Sequence, residues 1–489
     1  MPTNNTSQAF WIAAGNFFAL MFTIGATMVL SRCYTEVDYG TYRQVFWVYS
    51  SLSVVFTLGL PRTFGYFLPQ VPLEEGLHLV NKITKLFFIM GGIFSLILFL
   101  FSDIIADILK NPDLGLGLKL FSPVPFFMLP TMGLDSIFAT YKRTHIASAY
   151  NIIHKALLSV CLIIPALIFR DNYIYAIIGF NIASFISFLF ALYLKRLPFK
   201  SIPRKKTGIS YKSIFAFAVP LMGANIVNII INSTDQFFIS RFFGVVEFAQ
   251  YSNGAMELPF ISMIIGACSV VLLPVYTKLK EGKSLDEFKA EIFSVWKSVF
   301  EKSIKLIYPI IIYCIVFANE IMVLLYSEKY FESGLFFRIM LFNNFFSIIS
   351  SYPLILALGK TKAYLNTYIF NALILIILET LVVYLVPNVY LICIISVFCL
   401  AVRMIAFLRI ISVQLKTKII KLFPLRMIFK VSLISIAILI PIKLLTDHIN
   451  TNSLIAITIS GLLYIILFLP ITHLFKLNYW SIVKPLFRR

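Results

Sequence analysis

Charge is scarce in this sequence, and acidic charge is scarcest. Only 13% of the 489 residues are Asp, Glu, Lys or Arg, about half the share of an average soluble domain. That density cannot cover a water-exposed globular surface, which excludes an ordinary soluble enzyme. Acids number 22 against 42 Lys and Arg. An excess of this size suits nucleic acid only when the cations gather into a patch. Here they occupy alternate segments between apolar runs, and no nucleic-acid partner is expected. The six cysteines, Cys33, Cys161, Cys268, Cys314, Cys393 and Cys399, form no CxxC pair and no metal-ligand spacing. Most lie inside apolar runs and read as buried membrane thiols, so no metal and no cofactor is expected. GxxxxGK[ST], HExxH and GxSxG are all missing, so no catalytic residue is assigned and the chain is read as not an enzyme. The N-terminus, MPTNNTSQAF, lacks the basic start and cleavage site of a removable signal, and the first span is expected to be retained.

What is abundant is apolar length. Hydrophobic residues make up 60% of the chain and the mean hydropathy is +0.90. Many separate runs reach the ~20 residues that cross a bilayer. The sequence predicts an all-α polytopic membrane protein with about fourteen transmembrane helices, among them spans near 117–140, 254–275 and 335–357. With the N-terminus inside, the inward loops hold 31 Lys and Arg and the outward loops 9. That bias places both termini in the cytoplasm. The basic loop KRLPFKSIPRKKTGISYK, residues 195–212, and a second basic connection near 413–427 divide the chain. The expected plan is a six-helix lobe over 1–197, a second over 198–412, and two further helices over 413–489. An even number of spans per lobe makes the two lobes parallel repeats. The segment 278–302 mixes charges with Phe288, Ile292, Phe293, Val295 and Trp296, and reads as a short amphipathic surface helix.

One apolar stretch carries a polar stripe. Between Pro220 and Tyr251, Asn225, Asn228, Asn232, Asp235 and Gln236 fall on one side of a helix. The same stretch has an echo 209 positions upstream. There Asn225 matches Asn16, Ser240-Arg241 matches Ser31-Arg32, Glu247 matches Asp38, and Tyr251 matches Tyr42. Ionisable groups inside spans are costly and tend to face a cavity or a partner. Asp235, Glu257 and Asp135 are therefore candidates for a coupling ion, with hydrogen bonding to a neighbouring helix as the alternative. Arg32, Arg43 and Arg241 near the outer ends are candidates for binding phosphate with a planar fork of donors; snorkelling to headgroups is the alternative. Trp47, one turn after Arg43, and Asn343 with Asn344 form further polar faces that suit a sugar or simply pack helices. The fragment Glu36-Val37-Asp38 resembles the paired acids of membrane glycosyltransferases, but reads better as a polar loop tip.

Three short motifs carry a family likeness. They are Asp38-Tyr39-Gly40-Thr41-Tyr42, the run from Asp235 to Arg241 followed by Gly244 and Tyr251, and the turn Gly359-Lys360-Thr361-Lys362. Together with the six-six-two plan, the chain resembles the polysaccharide-unit flippases, such as the O-antigen and capsule flippases. These belong to the larger group of multidrug and toxin extruders and the lipid II flippase. Ala249 stands where that pattern usually has Gly. The resemblance implies a V-shaped pair of bundles that alternately opens a central cavity to each side of a bacterial or archaeal cytoplasmic membrane. The cargo it implies is an oligosaccharide on undecaprenyl diphosphate, for cell-surface polysaccharide, with membrane lipids, a polymerase and chain-length proteins as candidate partners. In that picture Asn225, Asn228, Asn232 and Asp235, with Asn16 opposite, line the cavity, and the arginines meet the diphosphate. The alternatives are a cation-coupled multidrug antiporter of the same fold, or a membrane polymerase or glycosyltransferase.

Overall fold

The computed structural model describes residues 5–479, apart from 171, 201, 259, 262–263, 266–271, 273–275, 277–284, 349–350, 450–451, 476 and 478. Among the described residues every regular element is helical. Hydrocarbon cannot satisfy a free N–H or C=O, so an apolar run in a bilayer must close its hydrogen bonds within itself. Among the described residues eleven helices are long and apolar enough to cross a membrane, twelve if one bent pair counts as a span. Their outer faces are apolar and open, with Leu385, Leu433 and Leu474 all more than two-thirds exposed. The chain is a multi-pass membrane protein. The expected span near 254–275 lies largely outside the described residues. That near 335–357 consists of two helices, Ser333–Ser347 and Ser351–Ala357. The span expected over 117–140 begins at Pro112 and is a chain of short helices. Pro123, Pro125 and Pro130 each remove an N–H from its ladder.

The chain divides into two compact units, Met1–Ala249 and Gln250–Arg489. In the first, Asn5–Cys33 packs along Thr144–Ile168, which also packs against Ile174–Arg196. Small residues let these backbones approach. A Cβ on Gly15 would lie 2.9 Å from the Ser148 Cβ, and one on Gly179 would lie 1.9 Å from the Cys161 carbonyl oxygen. The Ser159 hydroxyl donates to the Phe22 carbonyl at 2.8 Å. The Tyr211–Phe242 helix also belongs to this unit, packed on Glu36–Thr57, Pro61–Phe67 and Ser102–Leu109. The boundary expected after residue 197 follows the repeat and the basic loop. The packing boundary falls later, because this helix finds its partners upstream of that loop.

In the second unit the amphipathic segment is not a separate surface helix. From Leu285 it forms the first half of one 32-residue helix, Leu285–Val316. Buried Ile292, Trp296, Phe300, Ile304, Ile307 and Ile311 recur every three or four residues, so one core stripe runs through the charged part into the span. The helix then bends by 77° into Ala318–Tyr326. Arg338 occupies the bend. Its Nε donates to the Ile315 carbonyl at 3.1 Å and its Nη2 to the Asn319 side-chain oxygen at 3.3 Å. Its role is to satisfy the carbonyl that the bend strips of its helical partner. The last two long helices, Leu425–His448 and Ser453–Leu474, attach to the same bend. Lys443 pairs with Glu320 and, at 2.6 Å, with Asp447. The Tyr313 hydroxyl donates to the Ile457 carbonyl at 2.8 Å.

Replacing Arg338 by Met keeps the length of the side chain and deletes both bonds. The loss is expected to be about 1–3 kcal/mol, the usual cost of stranding a buried polar group. A thermal melt of the purified protein should show a lower midpoint for R338M than for wild type, and an unchanged midpoint would refute the capping role.

Candidate functional site

The two stretches related by 209 positions share one local design. Asn5–Cys33 ends and Glu36–Thr57 begins within two residues; Tyr211–Phe242 ends and Val245–Gly254 begins within two residues. Asp38 and Glu247 are both the third residue of the second helix, where a carboxylate favours the positive helix end. At Asp38 the helix start is capped by a side chain. The Thr35 hydroxyl accepts the Asp38 N–H at 3.1 Å and donates to the Asp38 carboxylate at 2.7 Å. The Glu36-Val37-Asp38 fragment is thus a helix start rather than a loop tip. Beside it, burial pushes the Tyr34 hydroxyl above its usual pKa range. Gly40 is required by a close approach, since a Cβ there would lie 2.4 Å from the Val245 carbonyl oxygen.

Behind these junctions lie buried polar knots. Asn111, just before the Pro112–Phe121 helix, donates from Nδ2 to the Thr41 hydroxyl at 2.9 Å and to the Gln44 side-chain oxygen at 2.6 Å. Gln44 Nε2 donates in turn to the Ser240 hydroxyl at 2.7 Å. In the second unit Ser333 donates to the Gln250 side-chain oxygen at 2.7 Å, and Gln250 Nε2 donates to the Lys329 carbonyl at 2.8 Å. Thr41 and Gln250 are again 209 apart, as are Gln44 and the fully buried Asn253. Sequence reasoning missed these residues. The signal was available: the echo runs two residues past Tyr42, to Gln44.

The polar stripe divides. Asn228 and Asn232 are exposed and Asn225 is half-buried, whereas Asp235 is 3% exposed. Asp235 lies on the packed side, between the Ser233–Ser51 contact of 3.2 Å and the Ser240–Gln44 bond. Asn16 is exposed on Asn5–Cys33, a helix that packs along Thr144–Ile168. The arginines engage the protein's own backbone and rings. Arg32 donates to the Met28 carbonyl of its own helix at 3.0 Å, and Arg241 to the Asp107 carbonyl at 3.1 Å. Arg43 is half-buried, with its guanidinium 6.0 Å from the Tyr39 ring centre. Trp47 packs against Phe248 with ring centres 5.9 Å apart. Asn343 and Asn344 are half-buried on Ser333–Ser347. Asp135 is exposed and accepts from Asn151 Nδ2 at 3.2 Å. Glu257 is exposed in the non-helical stretch that follows Val245–Gly254, in the second unit. Among the described residues, no group of three or more His, Cys, Asp and Glu side chains could hold a metal ion.

A family profile described as "Polysaccharide biosynthesis protein" matches residues 29–335, well over half of the chain. The chain belongs to this polysaccharide biosynthesis protein family. No curated protein sequence matches it. Solved structures share its fold at low identity. The lipid II flippase MurJ in an inward closed conformation is 16% identical, with a TM-score of 0.68 over 95% of this chain and 99% of MurJ. An inward-facing multidrug resistance MATE family transporter of the MOP superfamily is 13% identical, with a TM-score of 0.63 over 81% of this chain and 95% of the transporter. A MOP superfamily transporter from Pyrococcus furiosus, described as having a binding pocket of reverse polarity, is 12% identical, with a TM-score of 0.56 over 84% and 95%. This polysaccharide biosynthesis family member therefore has the helical fold of MurJ and the MATE transporters.

An exposed amide in the middle of an apolar helix is stable only against water or a polar ligand. Cysteines introduced singly at Asn228 and Asn232, in a background lacking the native cysteines, should react with a membrane-impermeant thiol reagent. A cysteine at buried Ile231 should not. Protection of all three positions in the membrane would show that the stripe meets lipid.

Proposed function

We propose that this protein is a flippase that moves undecaprenyl-diphosphate-linked oligosaccharide repeat units from the inner to the outer leaflet of the cytoplasmic membrane, by alternating access, for cell-surface polysaccharide synthesis. The observation that carries the reading is the pair of open amides, Asn228 and Asn232, with half-buried Asn225 beside them, on the otherwise apolar Tyr211–Phe242 helix. Each amide offers both donors and an acceptor, which matches sugar hydroxyls, while a polyprenyl tail can stay in lipid. The family's description and a fold shared with the lipid II flippase support the same cargo class. The fourteen-helix, six-six-two plan with both termini inside rests on the charge count of 31 against 9. In this reading Asp235, buried beside the stripe, is the first candidate for a coupling proton or cation. Arg32, Arg43 and Arg241 are candidates for the diphosphate only after leaving the backbone and ring partners described above. Delivery to a polymerase and chain-length proteins follows from the same role.

A cation-coupled multidrug antiporter is the second reading, favoured by the MATE-like fold. The two separate on one experiment. Replacing Asn228 and Asn232 together by Leu removes two groups worth about 1 kcal/mol each in bonds to cargo, roughly a thirtyfold loss. Surface polysaccharide should fall accordingly at unchanged protein level, with lipid-linked units accumulating on the cytoplasmic face. Normal surface polysaccharide in the variant, together with altered export of aromatic cations, would decide for the antiporter.

A further inference from the structure

The second unit holds a cavity that the transport reading does not use. It has a volume of about 400 Å³ and lies where the Leu285–Val316 helix meets the connection between Val389–Leu415 and Leu425–His448. Four cations line it, Lys297, Lys421, Arg426 and Lys430, against one acid, Glu301. Lys297 and Glu301 are one helical turn apart with their charged atoms 4.0 Å from each other, so their charges largely offset. Lys430 donates to the Phe475 carbonyl, which leaves it two further donors. The wall is fixed from behind, where buried Trp296 donates from Nε1 to the Leu422 carbonyl at 3.1 Å. Beside the cations the surface is apolar and open: Ile420 and Phe429 are both 70% exposed and Leu433 is 71% exposed.

We propose that this cavity binds the phosphodiester headgroup of a resident anionic phospholipid, with its acyl chains along Ile420, Phe429 and Leu433. A cavity at the junction of two spans lies at the depth of the headgroups by construction. Basic pockets between helices on the cytoplasmic side recognise anionic headgroups, and the charge count assigns this connection to that side. Arg426 supplies a planar fork for two phosphate oxygens and the lysines supply point charges. The volume fits a glycerophosphate headgroup. The four cations lie outside the stretches related by the 209 offset, so the site belongs to the scaffold rather than to the cargo path.

The test is native mass spectrometry of the full chain titrated with phosphatidylglycerol and, separately, with phosphatidylcholine. In a K421Q/R426Q variant, phosphatidylglycerol binding should weaken roughly thirtyfold, about fivefold for each cation. Phosphatidylcholine binding should stay unchanged, and R204Q/K212Q, which removes two cations from the other basic loop, should leave phosphatidylglycerol binding intact. K421R should bind as wild type, which separates loss of charge from loss of fold. Equal phosphatidylglycerol binding by K421Q/R426Q and wild type would overturn the proposal, as would an equal loss in R204Q/K212Q. Displacement of the lipid by millimolar inorganic phosphate would also overturn it, in favour of a free-anion site.

Discussion

Hydrocarbon supplies neither donor nor acceptor to a polar group, and most of this structure follows from that constraint. Apolar runs become helices because helices satisfy their own backbone. Where a helix must break, the exposed carbonyl or N–H has to find a side chain. The 77° bend after Val316 is met by Arg338, and the start of Glu36–Thr57 by Thr35 and Asp38. Where the prolines between Pro112 and Thr140 interrupt a span, hydroxyls step in: Thr131 donates to the Met128 carbonyl at 2.7 Å, and Ser122 to the Lys119 carbonyl at 2.7 Å.

The same constraint separates two kinds of polar residue in the spans. Thr41, Asn111, Gln44 and Ser240 form a buried chain of three hydrogen bonds. Such a network holds helices together and has little left to offer a ligand. Asn228 and Asn232 are open. Residues of one chemical type thus act as fasteners in one place and stay open to their surroundings in another. Exposure, not identity, decides which.

Legibility in the sequence follows the range of the signal. Helix existence is a local property of apolar length, so the spans were visible from composition. The 209-residue echo was visible too, but the paired helix starts at Asp38 and Glu247 were not, because an acid in a short polar stretch between two spans reads equally as a loop tip. Asn111 was invisible: its partners Thr41 and Gln44 are about seventy residues away, and nothing local marks a lone Asn before a Pro. The long Leu285–Val316 helix was misjudged because Lys297 and Glu301 drew attention to charge. The uninterrupted stripe from Ile292 to Ile311 outweighed it. Asp235 could not be assigned to the packed or the open side from spacing alone, since a stripe about 100° wide straddles both.

The ten-residue Val245–Gly254 helix belongs to both halves of the chain. Val245 closes against Gly40 and Phe248 against Trp47 in the first unit, while Gln250 bonds to Ser333 and Gly254 abuts Phe336 in the second. If the two halves descend from a duplicated gene, they can no longer be separated at the old joint. A cut in the basic loop strips the first fragment of the helix that Gln44 and Ser51 hold. A cut after Gly254 leaves Ser333 without its amide.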